Sequence, residues 1–363
     1  LRWQEESTID RLVEWIKGME WLDNINYRIL PGFTGGLVVD VTVQAELDWI
    51  LFRADIDALP IQEDTGLPYA SENPGVMHAC GHDMHTAALL GAMRLCAEKV
   101  ILPRHNIRFV FQRAEENPGT GTQPRSGGEI LHKENVTDNI TNAHALHVSP
   151  DHPLGTFAYW KGLNHANADR LIVKITGPGG HVKNPHRSPN PIHAGVQIIA
   201  RLNELAGQLA SPMEPMLIVP AVFQAGTTSN AIPAEANLQI SVRHFLDQQR
   251  REEIGQRIKE AVENCCPDCQ VECLYRYGGP AFSDDPQDVQ LVKALLEDNG
   301  FTTAVNEPSL GGEDFAHYLR RVPGSFWNIG VGSESGRPHT AGFKPDPKAL
   351  DPMMIFWTIL ATN

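Results

Sequence analysis

Trp49-Ile-Leu-Phe-Arg-Ala-Asp-Ile-Asp57 opens on four apolar or aromatic residues and closes on two aspartates with one residue between them. The apolar half, Trp49–Phe52, has the composition of a buried strand. Acidic residues just past the C-terminal end of a parallel strand face the crevice in which open α/β sheets bind ligands. If the chain stays extended, Asp55 and Asp57 share a face. They can then ligate a cation or hold a ligating histidine in place. The bland alternative is a pair of loop-capping carboxylates.

The neighbouring segments set this strand in a sheet. Upstream, Ile9, Leu12, Val13 and Ile16 recur with helical spacing, and Leu37–Val43 reads as a second strand. Downstream, residues 85–98, rich in Ala, Leu and Met, read as a buried helix, and Ile107–Phe111 as the next strand. Alternating strands and helices predict an α/β domain with a mostly parallel sheet. The middle of the chain differs. Strands at Leu171–Thr176, Leu217–Phe223, Leu238–Val242 and Val271–Tyr275 accompany two helices, at Ile192–Leu202 and Ile254–Val262. This predicts a smaller α+β unit with a four-stranded sheet. A helix at Val289–Leu296 and a strand at Phe326–Val331 then restore the α/β pattern. The expected organisation is an α/β domain over 1–158 and 273–363, interrupted by an inserted α+β domain over 159–272.

A chain of 363 residues is long enough for two such domains. Its net charge of −14 speaks against a nucleic-acid partner. No apolar run approaches the roughly 20 residues of a membrane helix, so no membrane role is expected. Leu1–Asp10 lacks a basic start followed by an apolar stretch, so no signal peptide is expected either. Four of the six cysteines, Cys265, Cys266, Cys269 and Cys273, crowd into nine residues without the regular framework of a secreted scaffold. A reducing, cytoplasmic compartment is the expectation. Cys266-Pro-Asp-Cys269 has the spacing of half a zinc site, but no second pair completes it, and these read as ordinary thiols.

Five polar clusters carry the chemistry. Met77-His-Ala-Cys-Gly-His-Asp-Met-His85 packs three histidines, a cysteine and an aspartate into nine positions. Thiol, imidazole and carboxylate are donors for zinc and similar divalent ions. The aspartates Asp55 and Asp57 form the second cluster. Glu115-Glu116, past the strand Ile107–Phe111, can divide the labour, one carboxylate on a metal and its neighbour on protons. His144 and His147 stand three apart among apolar residues, and His339 follows the strand Phe326–Val331. None of the five clusters lies in the inserted region.

Several motifs in order give a resemblance that covers nearly the whole chain. They are Arg53-Ala-Asp-Ile-Asp-Ala-Leu-Pro60, Gly75-Val-Met-His-Ala-Cys-Gly-His-Asp83, Ala114-Glu-Glu116, Leu146-His-Val148, Gly180-His181, Asn230-Ala-Ile-Pro233, Gly312-Glu-Asp-Phe315 and Pro338-His339. The chain resembles the metal-dependent aminoacylase/carboxypeptidase family. The resemblance is to the branch of hippurate hydrolases, N-acyl-amino-acid amidohydrolases and auxin-conjugate hydrolases. The resemblance implies two divalent cations held by Cys80, His82, Glu116, His147 and His339. It implies Glu115 as general base, Asp57 as the residue behind a ligand, and an inserted lid domain that also serves homodimerisation. His181, Asn230 and Arg243 match lid positions that meet the substrate, a small amide such as an N-acyl amino acid. Zinc or manganese is the expected metal, with cobalt and nickel admitted by the same donors. The chain departs from the family pattern at Arg113, at the long link 117–126, at Glu129 and at Asn164-His165. These touch the reading of the substrate, leaving room for a dipeptidase, an aromatic-amine deaminase or a non-catalytic small-molecule binder on the same scaffold.

Overall fold

The structure, a computed structural model, describes residues 1–21, 25–98, 100–116 and 125–363. In chain order it runs α1 (Glu6–Lys17), β1 (Asn26–Ile29), β2 (Gly36–Thr42), β3 (Trp49–Asp55), α2 (His82–Ala97), β4 (Asn106–Gln112), α3 (Gly127–Lys133), β5 (Ile140–Ser149) and β6 (Phe157–Trp160). It continues with β7 (Asn167–Thr176), β8 (Gly180–His181), α4 (Pro191–Leu209), β9 (Met216–Ala225), β10 (Ala231–Ile232), β11 (Glu235–His244), α5 (Gln248–Glu263) and β12 (Gln270–Arg276). It closes with α6 (Pro286–Asp298), β13 (Thr303–Asn306), α7 (Ala316–Leu319), β14 (Gly324–Gly330) and α8 (Leu350–Thr362).

The chain divides into two compact units, the first made of Leu1–Gly162, Ser283–Glu307 and Asp314–Asn363. Its sheet has the order β1-β2-β4-β3-β5-β14-β6-β13. The adjacent strands β4, β3, β5 and β14 are mutually parallel, as are β6 and β13, while β1, β2 and the β6–β14 pair are antiparallel. The mostly parallel α/β sheet expected from the alternation is therefore present. β3 is buried on both faces, which explains its continuous apolar run. Phe52 packs 4.9 Å from Trp357 of α8, a nearly uninterrupted apolar helix that also covers α2. Periodicity along the chain does not mark α8 or the strands β1, β5, β6 and β13. Short strands and an all-round apolar helix lack the periodicity that marks amphipathic elements.

The second unit, Leu163–Phe282 with Pro308–Glu313, has the antiparallel sheet β12-β7-β11-β9 and the helices α4 and α5. Its own core is built from Leu171, Val173, Ile198, Leu202, Leu238 and Ile258. Its bounds differ from the expected 159–272. β6 belongs to the large sheet, so the first unit extends past 158. β12 pairs with β7 along its whole length, which carries the second unit past 272. Buried Asp169 then gathers Arg251, Tyr275 Oη at 3.0 Å and Gly278 N at 3.0 Å. The excursion 308–313 joins it through Ser309 N to Asn164 O (2.8 Å) and Ala166 N to Gly311 O (3.0 Å). Such pairings across distant sequence leave no compositional trace at a boundary. Among the described residues no helix is long and apolar enough to cross a membrane.

Candidate metal centre

In the first unit the parallel strands β4, β3, β5 and β14 all end on one edge, and the polar clusters follow those ends. Asp57 lies just past β3, Glu115 and Glu116 past β4, His147 near the end of β5, and His339 in the chain after β14. His82 opens α2. Its N-cap, Gly81, has φ 83°, and a Cβ there would come within 2.5 Å of Val148 Cγ2. Only glycine lets the Cys80–His82 turn pack this closely on the end of β5.

Five expected ligands converge. Cys80 Sγ lies 3.5 Å from His147 Nε2. His82 Nε2 lies 3.8 Å from Glu116 Oε1, and His339 Nε2 lies 3.0 Å from the same oxygen. Donor atoms of Cys80, His82 and Glu116 all fall within 4.8 Å of one another. His82 Nδ1 faces two acceptors, Asp57 O at 3.0 Å and Asp57 Oδ1 at 3.2 Å. It must therefore carry the proton, which leaves the Nε2 lone pair aimed into the cluster. His147 Nδ1 likewise donates to Val148 O (2.7 Å), so its Nε2 faces Cys80 as a lone pair. His82 Nε2 and Glu116 Oε1 are buried and make no hydrogen bond. Dry, unsatisfied acceptors of this kind are costly, and a divalent cation is the partner that thiol, imidazole and carboxylate share.

Asp57 does two jobs. One oxygen holds His82, and Oδ2 accepts from Glu116 N at 3.1 Å. Burial works against its charge, but the hydrogen bond and charge of His82 hold its pKa below the usual carboxylate range. Burial also opposes charge on His82, yet Asp55, Asp57 and Cys80 carry that imidazole well above its usual range. Burial pushes the Cys80 thiol up to about 12 and, with His85 and His82 nearby, holds His147 well below the imidazole range. His339 is raised by its contact with Glu116.

The backbone is strained where function would need it. Ala114, immediately before Glu115, has φ 48°, and His339 has φ 62°. Non-glycine residues in this region persist only when their surroundings hold them. Ala114 N donates to Glu5 Oε1 (3.2 Å), Arg113 Nε donates to Glu5 Oε2 (2.9 Å), and His339 N donates to Ala79 O (2.7 Å). Arg113, a departure from the family pattern, thus anchors this turn through buried Glu5. Glu115 is half-buried, and one of its carboxylate oxygens lies within 4.8 Å of one from Asp314. Residues 117–124 of the unusual link lie outside the described residues.

Other members of the clusters part company. His144 and His147 are three apart on a strand and so face opposite ways. His144 Nδ1 meets Ser325 Oγ (3.3 Å) and Asp288 Oδ2 (3.5 Å), away from the cluster. His85 sits beside His147, but both its nitrogens are engaged, Nδ1 with Asp55 Oδ1 (2.6 Å) and Nε2 with Val148 N (2.9 Å). It braces the site and has no lone pair to offer. The sequence reading assigned no part to Glu5, Gln112 or Tyr318, whose partners lie far along the chain.

In the second unit, His181 and Asn230 are exposed neighbours. β8 pairs with β10 through His181 and Ala231, and Val182 N donates to Asn230 O (3.4 Å). Arg243 is not with them. It stands eight residues along β11 from Glu235, roughly 27 Å at strand rise. His181 and Asn230 lie beyond the Glu235 end of that strand. At the base of the unit, Asn164 is fully buried, and burial pushes His165 down to about 4 as it stacks on Phe282.

The chain is similar to known proteins along most of its length. The sequence matches the model of Peptidase family M20/M25/M40 over residues 51–362. It is similar to the N-acetyldiaminopimelate deacetylase of Lacticaseibacillus casei (strain BL23), with 31% identity over 360 residues, 96% of this chain and 90% of that protein. It is similar to the N-acetyl-L-cysteine deacetylase of Bacillus subtilis (strain 168), with 35% identity over 317 residues, 87% of this chain and 74% of that protein. Among solved structures, the Bacillus subtilis YXEP protein, a dinuclear metal binding peptidase, aligns with a TM-score of 0.78 at 29% identity. That alignment covers 99% of this chain and 92% of the other.

Proposed function

The chain belongs to Peptidase family M20/M25/M40 and is a metal-dependent amidohydrolase; from that premise we propose that it removes the acyl group from N-acyl amino acids. The observation that carries the reading is the convergence of Cys80, His82, Glu116, His147 and His339, with Glu115 next to Glu116 in the chain. These five residues would hold two divalent cations, with Cys80 as the thiol donor. Thiolate and imidazole favour zinc, and the carboxylate share admits manganese.

Bound divalent cations supply an acidified water and an electrophile for the amide oxygen. Glu115 takes the water's proton and returns it to the departing nitrogen. Asp57 keeps His82 and the Glu116 peptide in place, so neither reorganises during the reaction. The second unit is assigned the part of a lid and dimerisation domain. Arg243 is suited to a substrate carboxylate, and His181 with Asn230 to the carbonyl side. A panel of N-acetyl, N-aroyl and dipeptide substrates, scored for free amino acid and for ammonia, tests this. Release of an amino acid from simple N-acyl substrates is expected. Turnover confined to dipeptides, or ammonia as the product, replaces the reading with a dipeptidase or a deaminase.

The separation of Arg243 from His181 and Asn230 favours a homodimer, because a second copy can present the end that the first cannot. Edge strand β9 offers exposed Leu217 and Val219, and edge strand β12 offers Leu274. Sedimentation is expected to return a dimer, and Leu217→Lys/Val219→Lys to weaken it. A monomer at all micromolar concentrations removes this part of the proposal.

A further inference from the structure

Arg53 is 1% exposed and is held by two carboxylates. Its Nη1 donates to Asp55 Oδ2 (2.8 Å), its Nη2 to Asp314 Oδ1 (2.8 Å), and its Nε to Gln112 Oε1 (3.0 Å). Taking charges out of water costs free energy that their mutual attraction at best returns, so a buried ion cluster is a poor device for stability alone. Its value must lie in what it orients.

The hydrogen bonds form one continuous path with a fixed direction. Arg53 takes up one oxygen of Asp55, and the other, Oδ1, faces His85 Nδ1 at 2.6 Å. A carboxylate accepts, so His85 carries its proton on Nδ1 and Nε2 must accept. The N–H of Val148 meets that demand at 2.9 Å. The carbonyl of the same residue accepts from His147 Nδ1 at 2.7 Å. Val148 is thus held at both ends, and the ring of His147 is aimed by the result. At the other end Asp314 is fully engaged. It accepts from Arg53, from Gln112 Nε2 (2.8 Å to each oxygen) and from Gly128 N (2.8 Å). A Cβ on Gly128 would stand 2.7 Å from Asp314 Oδ2, so only glycine admits this approach. Tyr318 Oη donates to Gln112 Oε1 (2.9 Å) and completes the cluster.

We propose that Arg53 and Asp314 are positioning residues that set the direction of His147, and hence one of the two cation sites, through Asp55, His85 and Val148. The proposal rests on the two-cation reading of Cys80, His82, Glu116, His147 and His339. It gives a part to the Gly312-Glu-Asp-Phe315 motif, 261 residues from Arg53, that ligand chemistry leaves unexplained. Histidine ligands held by hydrogen-bonded partners lose affinity for their metal about 10- to 100-fold when those partners are removed.

Asp314 also lies close to Glu115, so activity cannot separate the two roles, whereas metal affinity can. The experiment titrates zinc into the chelator-stripped full chain by calorimetry and records the Tm of the stripped protein. Arg53→Met alone leaves the buried carboxylates of Asp55 and Asp314 without their cation and is expected to lower Tm, whereas Asp314→Leu leaves Arg53 paired with Asp55. The double variant Arg53→Met/Asp314→Leu also removes the carboxylate of Asp314 and leaves only Asp55 without its cation, so its Tm is expected to recover in part. Its affinity at one zinc site is expected to stay about 10- to 100-fold weaker while the other is unchanged. His85→Leu, which leaves the Arg53 cluster intact, is expected to show the same one-site loss. Wild-type affinity at both sites in the double variant or in His85→Leu overturns the proposal, as does affinity that merely follows Tm. A wild-type chain that takes up no zinc at all removes the two-cation reading instead.

Discussion

Glu115→Gln is expected to lower kcat by roughly 10²–10⁴-fold with the bound metal unchanged. The substitution keeps the shape and hydrogen-bonding oxygen of the side chain but removes its ability to take a proton. At about 1.4 kcal/mol per tenfold, the loss corresponds to roughly 3–5.5 kcal/mol of barrier. The contrast with Glu116 is what makes the experiment informative. Glu116 has its Oε1 near His82 and His339, whereas a Glu115 oxygen lies within 4.8 Å of one from Asp314. Glu116→Gln should therefore lose metal along with activity. Metal analysis beside steady-state kinetics reads both quantities. A fully active Glu115→Gln enzyme would remove the general-base assignment, and one stripped of metal would make Glu115 a ligand.

Removing the metal should abolish turnover, and adding zinc or manganese back should restore it. The ease of reloading should depend on pH with a definite sign. Without a cation, burial pushes Cys80 up to about 12, so its thiol is protonated near neutrality. Burial opposes charge on His82, while the charge of Asp55 and the hydrogen bond of Asp57 shift its pKa upward. A ligand must shed its proton to bind, so uptake releases protons and tightens as pH rises. Each displaced proton makes the affinity about tenfold stronger per pH unit. Zinc titrations at pH 6 and pH 8, in buffers of different ionisation enthalpy, measure both the shift and the protons released. Equal affinities with no proton release would mean that Cys80 is not a ligand.

Both experiments follow from pairs of neighbouring residues whose roles diverge, and that divergence marks the limit of reading along the chain. Glu115 and Glu116 are alike as letters. The left-handed turn at Ala114, tied down by Glu5 over a hundred residues away, orients the two carboxylates. Asp55 and Asp57 look alike along the chain, but β3 runs through Asp55, and their separate duties toward His85 and His82 required α2 to be in place. His144 and His147 look like a matched set until β5 turns them to opposite faces.

The sequence by itself determined the layered α/β architecture, the insertion of a four-stranded α+β unit, and the chemical types available at the strand ends. Those depend on local periodicity and on residue identity, which spacing preserves. Only the tertiary structure decided which histidine keeps a lone pair, how the second unit closes on 278–282 and 308–313, and that Arg243 stands apart from His181 and Asn230. Ligation and hydrogen bonding depend on where lone pairs converge and how dry they are. Convergence and burial are set by packing between segments as far apart as Arg53 and Asp314.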